Sequence, residues 1–281
     1  MGVLNLLARR FVAGETAESA IAAGRSLGSR GIRATFDLLG EDVHDALAAR
    51  RVADANQELL RRIPEQLDRN LSIKLTNLGL GISEQLCLEL LAGVLAVARS
   101  VGGFVTIDME GSPHTQQTLD VFRKLRETFD NVGIVLQAYL MRTRDDVQEA
   151  MARGDRVRLC KGAYKEPRSI AWTRMSEIRR SFRECAHVLL ESGNHPAIAT
   201  HDESLIVDAL DHARQHGVGS DRFEFQMLLG LRPGRWDELV RAGYAVRVYV
   251  PYGSHWLPYF YRRLRERREN VLFVLRSLVT G

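Results

Sequence analysis

Eight short runs rich in β-branched and aromatic residues recur along this chain, each ending in polar residues and each separated from the next by a longer stretch of helical period. They are RATFDLLGE at 33–41, LSIKLTN at 71–77, FVTIDME at 104–110, GIVLQAY at 133–139, RVRLCKGAY at 156–164, AIATHD at 197–202, FEFQMLLG at 223–230 and AVRVYVPYG at 245–253. A strand followed by an amphipathic helix is the βα unit, and repeating it builds a parallel sheet covered by helices. Eight units in 281 residues match a closed barrel, whereas a doubly wound sheet uses fewer strands or more chain. The expected fold is an α/β, (βα)8 TIM barrel forming one domain over 1–281. A short helical arm at 1–30 would precede it, and an arginine-rich C-terminal helix would follow. A helix of about twenty residues is expected from near His44, and Ser83 is placed to cap the helix after the second strand.

Composition narrows the setting. At 45% hydrophobic and 26% charged the chain can bury a full core, and nothing marks a linker, repeat or low-complexity tract. Only Cys87, Cys160 and Cys185 are present, without a CxxC pair, which argues against a disulfide framework or a structural zinc site. The N-terminus lacks the order of a signal peptide, and no run approaches the roughly 20 apolar residues needed to span a bilayer. A cytoplasmic location is expected, with any membrane contact peripheral. The net charge of +4 is mild; 35 arginines against 4 lysines is a skew that codon bias accounts for, and it makes each lysine more informative.

Barrel enzymes place their chemistry at the C-terminal ends of strands. Here those ends read Glu41, Lys74, Asp108, Gln137, Arg158 with Lys161, Thr200 with His201, Gln226 and Tyr249. Lys74 would face the barrel mouth, where an ammonium needs an anion, and Asp108 on the next strand is its natural partner. Such a pair serves equally as a substrate-anion site or as a structural ion pair. Arg262 and Arg263 offer two guanidinium forks for a carboxylate, although RRLRERREN also reads as a solvated helix face. Arg158, Lys161 and the small Gly162–Ala163 pair form a cationic elbow that lets a ligand approach the backbone. His212 and His216, at i,i+4 spacing with no third ligand nearby in sequence, read as a surface pair, and no metal is implied. GLGISE has Glu84 where a third glycine would complete a dinucleotide fingerprint, and GxSxG is absent, which argues against a Rossmann domain and an α/β-hydrolase. Two readings of these residues stay open. One is a lyase or aldolase using Lys74 or Lys161 as a Schiff base, and the other is a basic scaffold for membrane or nucleic acid.

Taken in order, SIKLTNLG, TIDMEGS, VLQAYL, RLCKGAYKEP, ATHDESL, FEFQMLLG, YVPYGSHW and YFYRRLRERREN resemble the proline dehydrogenase family, including the corresponding domain of proline utilization A. The resemblance runs from about Thr35 onward. It implies an FAD-binding (βα)8 barrel without a Rossmann fingerprint, in a monofunctional bacterial-type form. It also implies roles residue by residue. Lys74, Arg262 and Arg263 match positions that bind the proline carboxylate, while Asp108 and Arg158 match an active-site acid and the arginine beside flavin N5. Met109, Gln137, Lys161, Gly162, Ala163, Thr200 and His201 match flavin contacts. Tyr164, Leu228 and Tyr249 match walls around the pyrrolidine ring, a tyrosine at the last favouring proline over hydroxyproline. Glu41 matches a gating glutamate paired with the first arginine of the doublet.

The implied reaction is oxidation of L-proline to Δ1-pyrroline-5-carboxylate by hydride transfer from C5 to flavin N5, the first step of proline catabolism to glutamate. Electrons would pass to a quinone, with no nucleic acid involved. The apolar VLFVLRSLV within the basic C-terminal region either touches an anionic bilayer surface or packs on the barrel as a helix.

Overall fold

A computed structural model describes residues 10–257 and 259. Eight parallel strands close into a barrel in chain order, with the last hydrogen-bonded to the first. They are β1 (Arg33–Leu38), β2 (Asn70–Ile73), β3 (Phe104–Ile107), β4 (Val132–Gln137), β5 (Arg156–Cys160), β6 (Ala197–Ala199), β7 (Glu224–Leu228) and β8 (Ala245–Tyr252). Closure is made by β1 and β8, paired from Arg33↔Arg247 to Leu38↔Tyr252. The helices are α1 (Ala17–Gly28) before the first strand, then α2 (Ala46–Arg62), α3 (Glu84–Ser100), α4 (Ser112–Arg126), α5 (Thr143–Ala152), α6 (Met175–Ser192), α7 (Glu203–Gln215) and α8 (Pro233–Arg241), each following its strand. The barrel expected from the alternation is the fold found.

The strands form because one of their two faces is apolar. Phe36, Leu71, Ile73, Val105, Ile107, Val157, Leu159, Phe225, Val246 and Val248 are buried between the barrel wall and the helical layer, and they alternate with a second set that is polar. That second set faces the barrel interior, because its members reach one another across strands that are not neighbours: Arg158 of β5 bonds Ser72 of β2, and Tyr249 of β8 bonds Asp108, which follows β3. The interior is therefore largely a polar network rather than stacked aliphatic layers.

At the closed, N-terminal end the network is an ion cluster. Glu224 accepts from Arg247 Nε and Nη2 at 2.8 and 3.1 Å, and Arg247 also reaches Asp68 at 3.0 Å. Arginine's planar fork suits this bidentate contact, and pairing is what makes two buried charges tolerable. The arginine holds the Glu224 carboxyl down to about 2 against the upward push of burial.

Helix starts follow capping chemistry. Ser83 Oγ accepts from Leu86 N–H as expected, and Asp45 accepts from Ala48 N–H at 2.8 Å. The second helix thus begins at Ala46, close to His44, and runs 17 residues to Arg62, where Ile63 turns extended because Pro64 follows. The described part of the N-terminal arm is folded onto the barrel. In α1, Ala20, Ile21, Gly24 and Leu27 are buried, and Gly24 lies so close to Phe36 that a Cβ there would meet the ring at 2.7 Å. Ahead of it, Phe11 and Val12 join Leu39, Leu231 and Tyr259 in a small apolar cluster beside the barrel mouth.

Candidate active site

A cavity of about 630 Å³ opens at the C-terminal ends of the strands. Its floor is polar and its walls are mixed, the composition expected of a site that binds a sizeable ligand and orients it with a few charges. The strand-end residues expected to carry the chemistry converge here. Lys74, Asp108, Arg158 and Tyr249 line the floor, with Met109 and Gln137 beside them. The loop after β5 brings Lys161, Gly162, Ala163 and Tyr164 to one wall, and Thr200, His201 and Leu228 come from the ends of β6 and β7. Thr200 and His201 lie just beyond the sixth strand, which stops at Ala199.

At the centre stands Arg158, 6% exposed. Its Nη1 donates to Asp108 Oδ1 at 2.8 Å and to Ser72 Oγ at 2.6 Å, and Ser72 Oγ donates on to Asp108 Oδ1 at 3.0 Å. Tyr249 donates its hydroxyl to the other oxygen, Asp108 Oδ2, at 2.8 Å. Burial, reinforced by the Asp108 and Asp37 carboxylates, pushes the Tyr249 phenol well above its ordinary value, so it remains a donor. Arg158 Nε and Nη2 are buried and have no hydrogen-bond partner among the described residues. A guanidinium held on one side with two N–H edges unmet is costly unless a ligand supplies acceptors.

Lys74 differs from expectation. Its partner is Asp37 of β1, whose oxygens lie 3.2 and 3.3 Å from Nζ, and not Asp108. The physical reason is competition: Asp108 is taken up by Arg158, Ser72 and Tyr249, whereas Asp37, 1% exposed, faces Lys74 from the opposite neighbouring strand. Burial works to lower the Lys74 amine, but the Asp37 and Asp108 carboxylates outweigh it and raise it, so the side chain is an ammonium. It has three protons and gives two contacts to Asp37, which leaves donor capacity in the cavity that it lines.

The flanking residues are fixed by their own bonds. Gln137 donates to the backbone oxygen of Glu110 at 3.0 Å, and His201 Nε2 accepts from Leu228 N–H at 2.8 Å, which assigns the ring proton to Nδ1. Lys161 reaches Asp202 at 3.2 Å, as does Arg179 at 2.8 Å. Against the upward push of burial, hydrogen bonds from Arg179, Ser204 and Lys161 hold the Asp202 carboxyl below the usual range. Gly162 is required by its backbone, since its φ is +111° and a Cβ would come within 2.3 Å of the Tyr139 ring. Trp172 and Glu166 line the same wall; Trp172 N–H donates to Tyr139 O at 2.7 Å, and Glu166 accepts from Ser112 N–H at 2.8 Å, folding the long β5–α6 loop over the mouth.

Several expectations fall elsewhere. Glu41 is half-buried in the loop after β1 and is not among the cavity-lining residues. Arg262 and Arg263 lie outside the described residues. Three functional groups escaped the sequence reading: Asp37, Ser72 and the buried Glu110, which accepts from the Thr76 hydroxyl and backbone N–H. A signal for the first two was present, because Thr35–Asp37, Ser72–Lys74 and Thr106–Asp108 put polar residues at every second position of otherwise apolar strands. His212 and His216 are not merely a surface pair, since Glu191 of the neighbouring helix meets them.

Comparison with known proteins agrees with this geometry. A family model for proline dehydrogenase matches residues 20–276. Proline dehydrogenase 1 of Bacillus subtilis (strain 168) is 42% identical over 97% of this chain and 90% of its own length, and the proline dehydrogenase of Deinococcus radiodurans is 38% identical over 98% and 91%. Among solved structures, proline utilization A from Bdellovibrio bacteriovorus, inactivated by N-propargylglycine, superimposes with a TM-score of 0.83 at 26% identity. The match covers 92% of this chain and 32% of that one, so this chain spans about a third of that longer protein. Closed barrel, polar mouth and full-length similarity together establish that the chain belongs to the proline dehydrogenase family.

Proposed function

We propose that this chain oxidises L-proline to Δ1-pyrroline-5-carboxylate with FAD held at the barrel mouth and a quinone taking the electrons onward. The observation that carries the reading is Arg158, whose buried Nε and Nη2 lack acceptors among the described residues, beside a cavity large enough for a ring system. Acceptor-rich edges of an isoalloxazine answer that need, and the close backbone approach at Gly162 suits a flat ligand. The residues present therefore fit a flavin. Met109, Gln137, Arg158, Lys161, Gly162, Ala163, Thr200 and His201 would hold it. When bound, it supplies the hydride acceptor.

The chain's own residues do the rest. Lys74, held as an ammonium, offers a cation for the substrate carboxylate, and Arg262 and Arg263 would add two forks. Tyr164, Leu228 and Tyr249 enclose the pyrrolidine ring and exclude water from it. Asp108 holds Arg158, Ser72 and Tyr249 in place through one hydrogen bond from each, so the cationic edge is preorganised rather than recruited. Glu41 is assigned the gate, closing through Arg262. The protonated Lys74 lacks the lone pair that a Schiff-base mechanism needs, which disfavours Lys74 as the nucleophile of a lyase. No helix among the described residues is long and apolar enough to cross a membrane, and quinone access is assigned to peripheral contact through the basic C-terminal region.

The test is a visible spectrum of the purified protein followed by anaerobic L-proline. Flavin bands that bleach are expected. Bands that persist would overturn the substrate, and a colourless protein that FAD cannot reconstitute would overturn the cofactor. Arg158→Met should lower flavin retention and proline turnover together; normal values of both would remove Arg158 from its assigned role.

A further inference from the structure

Away from the mouth, two neighbouring helices carry facing rows of metal-ligand side chains that proline oxidation does not use. Along α6 stand His187 and Glu191, and along α7 stand Asp208 and His212, with His216 capping its C-terminus, each at i,i+4 spacing from the one before. The rows meet: His212 Nε2 lies 2.8 Å from Glu191 Oε1, and His216 Nε2 lies 3.9 Å from the same oxygen. One donor atom from each of Glu191, His212 and His216 falls within 4.8 Å of the others. Two ligands about 2.1 Å from a tetrahedral Zn²⁺ sit about 3.4 Å apart, so small side-chain rotations bring these three onto one ion.

The surroundings prepare the ligands. His216 Nδ1 is 2.9 Å from the backbone oxygen of His212, which fixes the proton on Nδ1 and leaves the Nε2 lone pair on the side of Glu191. The His187 ring stacks on His212 at 3.7 Å and 6°, and is itself anchored by Asp208 at 2.7 Å, with Arg183 on the other oxygen of that aspartate at 3.4 Å. His212 has a side chain only 10% exposed, whereas Glu191 and His216 are each 45% exposed, which leaves an open side for a water as fourth ligand. Two imidazoles and one carboxylate select a late first-row divalent ion over Mg²⁺ or Ca²⁺, which prefer all-oxygen sets.

We propose that Glu191, His212 and His216 bind such a cation, Zn²⁺ foremost, as a clip between α6 and α7. The site is separate from the substrate cavity. His187 is twelve residues along α6 from Met175, which lines that cavity, a rise of about 18 Å. The clip would fasten the C-terminal end of α6 to the C-terminal end of α7 in the outer layer of the barrel, away from the mouth.

Zn²⁺ titrated into the full-length protein against a chromophoric chelator, with thermal unfolding followed in parallel, tests this directly. One ion per chain, a micromolar or tighter Kd and a raised Tm are expected, because an ion bound only by the native state stabilises it. His216→Ala and Glu191→Gln, both at half-exposed positions that the fold tolerates, should each weaken binding about tenfold or more and abolish the rise in Tm. No saturable binding at about 100 Kd-equivalents of the expected micromolar value, or binding that survives both substitutions, overturns the site. Loss with His216→Ala but not with Glu191→Gln also overturns it, since that pattern belongs to an adventitious pair of histidines on one helix.

Discussion

Replacing Lys74 with Met removes one half of a buried pair and leaves Asp37, 1% exposed, without its cation. The cost has a ceiling set by protonation: neutralising a carboxyl of ordinary value 3.8 at pH 7 takes about 4 kcal/mol, in line with the 3–5 kcal/mol typical of breaking a buried pair. A chain of 281 residues unfolds with an entropy of about 0.6 kcal/mol/K, so the loss corresponds to about 7 °C in Tm. Burial raises the Asp37 carboxyl above its ordinary value, which means its stability contribution is complete below that value and is lost as pH rises through the folded one. Without Lys74 to oppose that rise, the Lys74→Met deficit should shrink on acidification from pH 7 to pH 5, by at most about 1.4 kcal/mol, or about 2 °C, for each unit. Scanning calorimetry of wild type, Lys74→Met and the double variant Asp37→Asn with Lys74→Met measures it. The double variant should recover most of the lost Tm while its KM for proline stays raised. A deficit independent of pH, or a double variant no more stable than Lys74→Met, would refute the assignment of Asp37 as the stranded charge.

Three further substitutions probe other parts of the molecule. Tyr249→Phe deletes the donor to Asp108 Oδ2, a charged hydrogen bond worth about 1.5–3 kcal/mol, and should lower kcat/KM for proline by about ten- to a hundredfold at unchanged flavin content; unaltered kinetics would show that Asp108 is oriented without it. Glu224, held down to about 2 from 4.5, contributes about 3 kcal/mol that is present above pH 4.5 and lost as pH falls toward 2. Glu224→Gln should accordingly cost several degrees of Tm at pH 7 and much less near pH 3, with a pH-independent difference counting against the pair with Arg247. Gly162→Ala forces a Cβ into the Tyr139 ring at a φ of +111° and should cost about 1–3 kcal/mol locally, read as weakened FAD retention with little change in Tm. Full flavin occupancy in that variant would mean the loop is not part of the cofactor seat.

The sequence by itself determined the barrel, because eight alternations of a two-residue and a 3.6-residue period admit few arrangements of 281 residues, and a parallel strand needs a helix to return the chain. It also determined that functional groups end the strands, since polar residues there interrupt apolar runs. Partnership was decided by tertiary structure. Lys74 has a neighbour strand on each side, and sequence spacing favours neither Asp37 nor Asp108; the choice falls to Asp37 because Arg158, Ser72 and Tyr249 claim Asp108. Ser72 and Arg158 are 86 residues apart and Asp108 and Tyr249 are 141 apart, on strands that are not paired in the sheet. Glu191 likewise reaches His212 only where α6 packs on α7. Local periodicity is written in each short window of residues, whereas contacts across a closed barrel exist only once curvature brings its opposite walls within hydrogen-bonding distance.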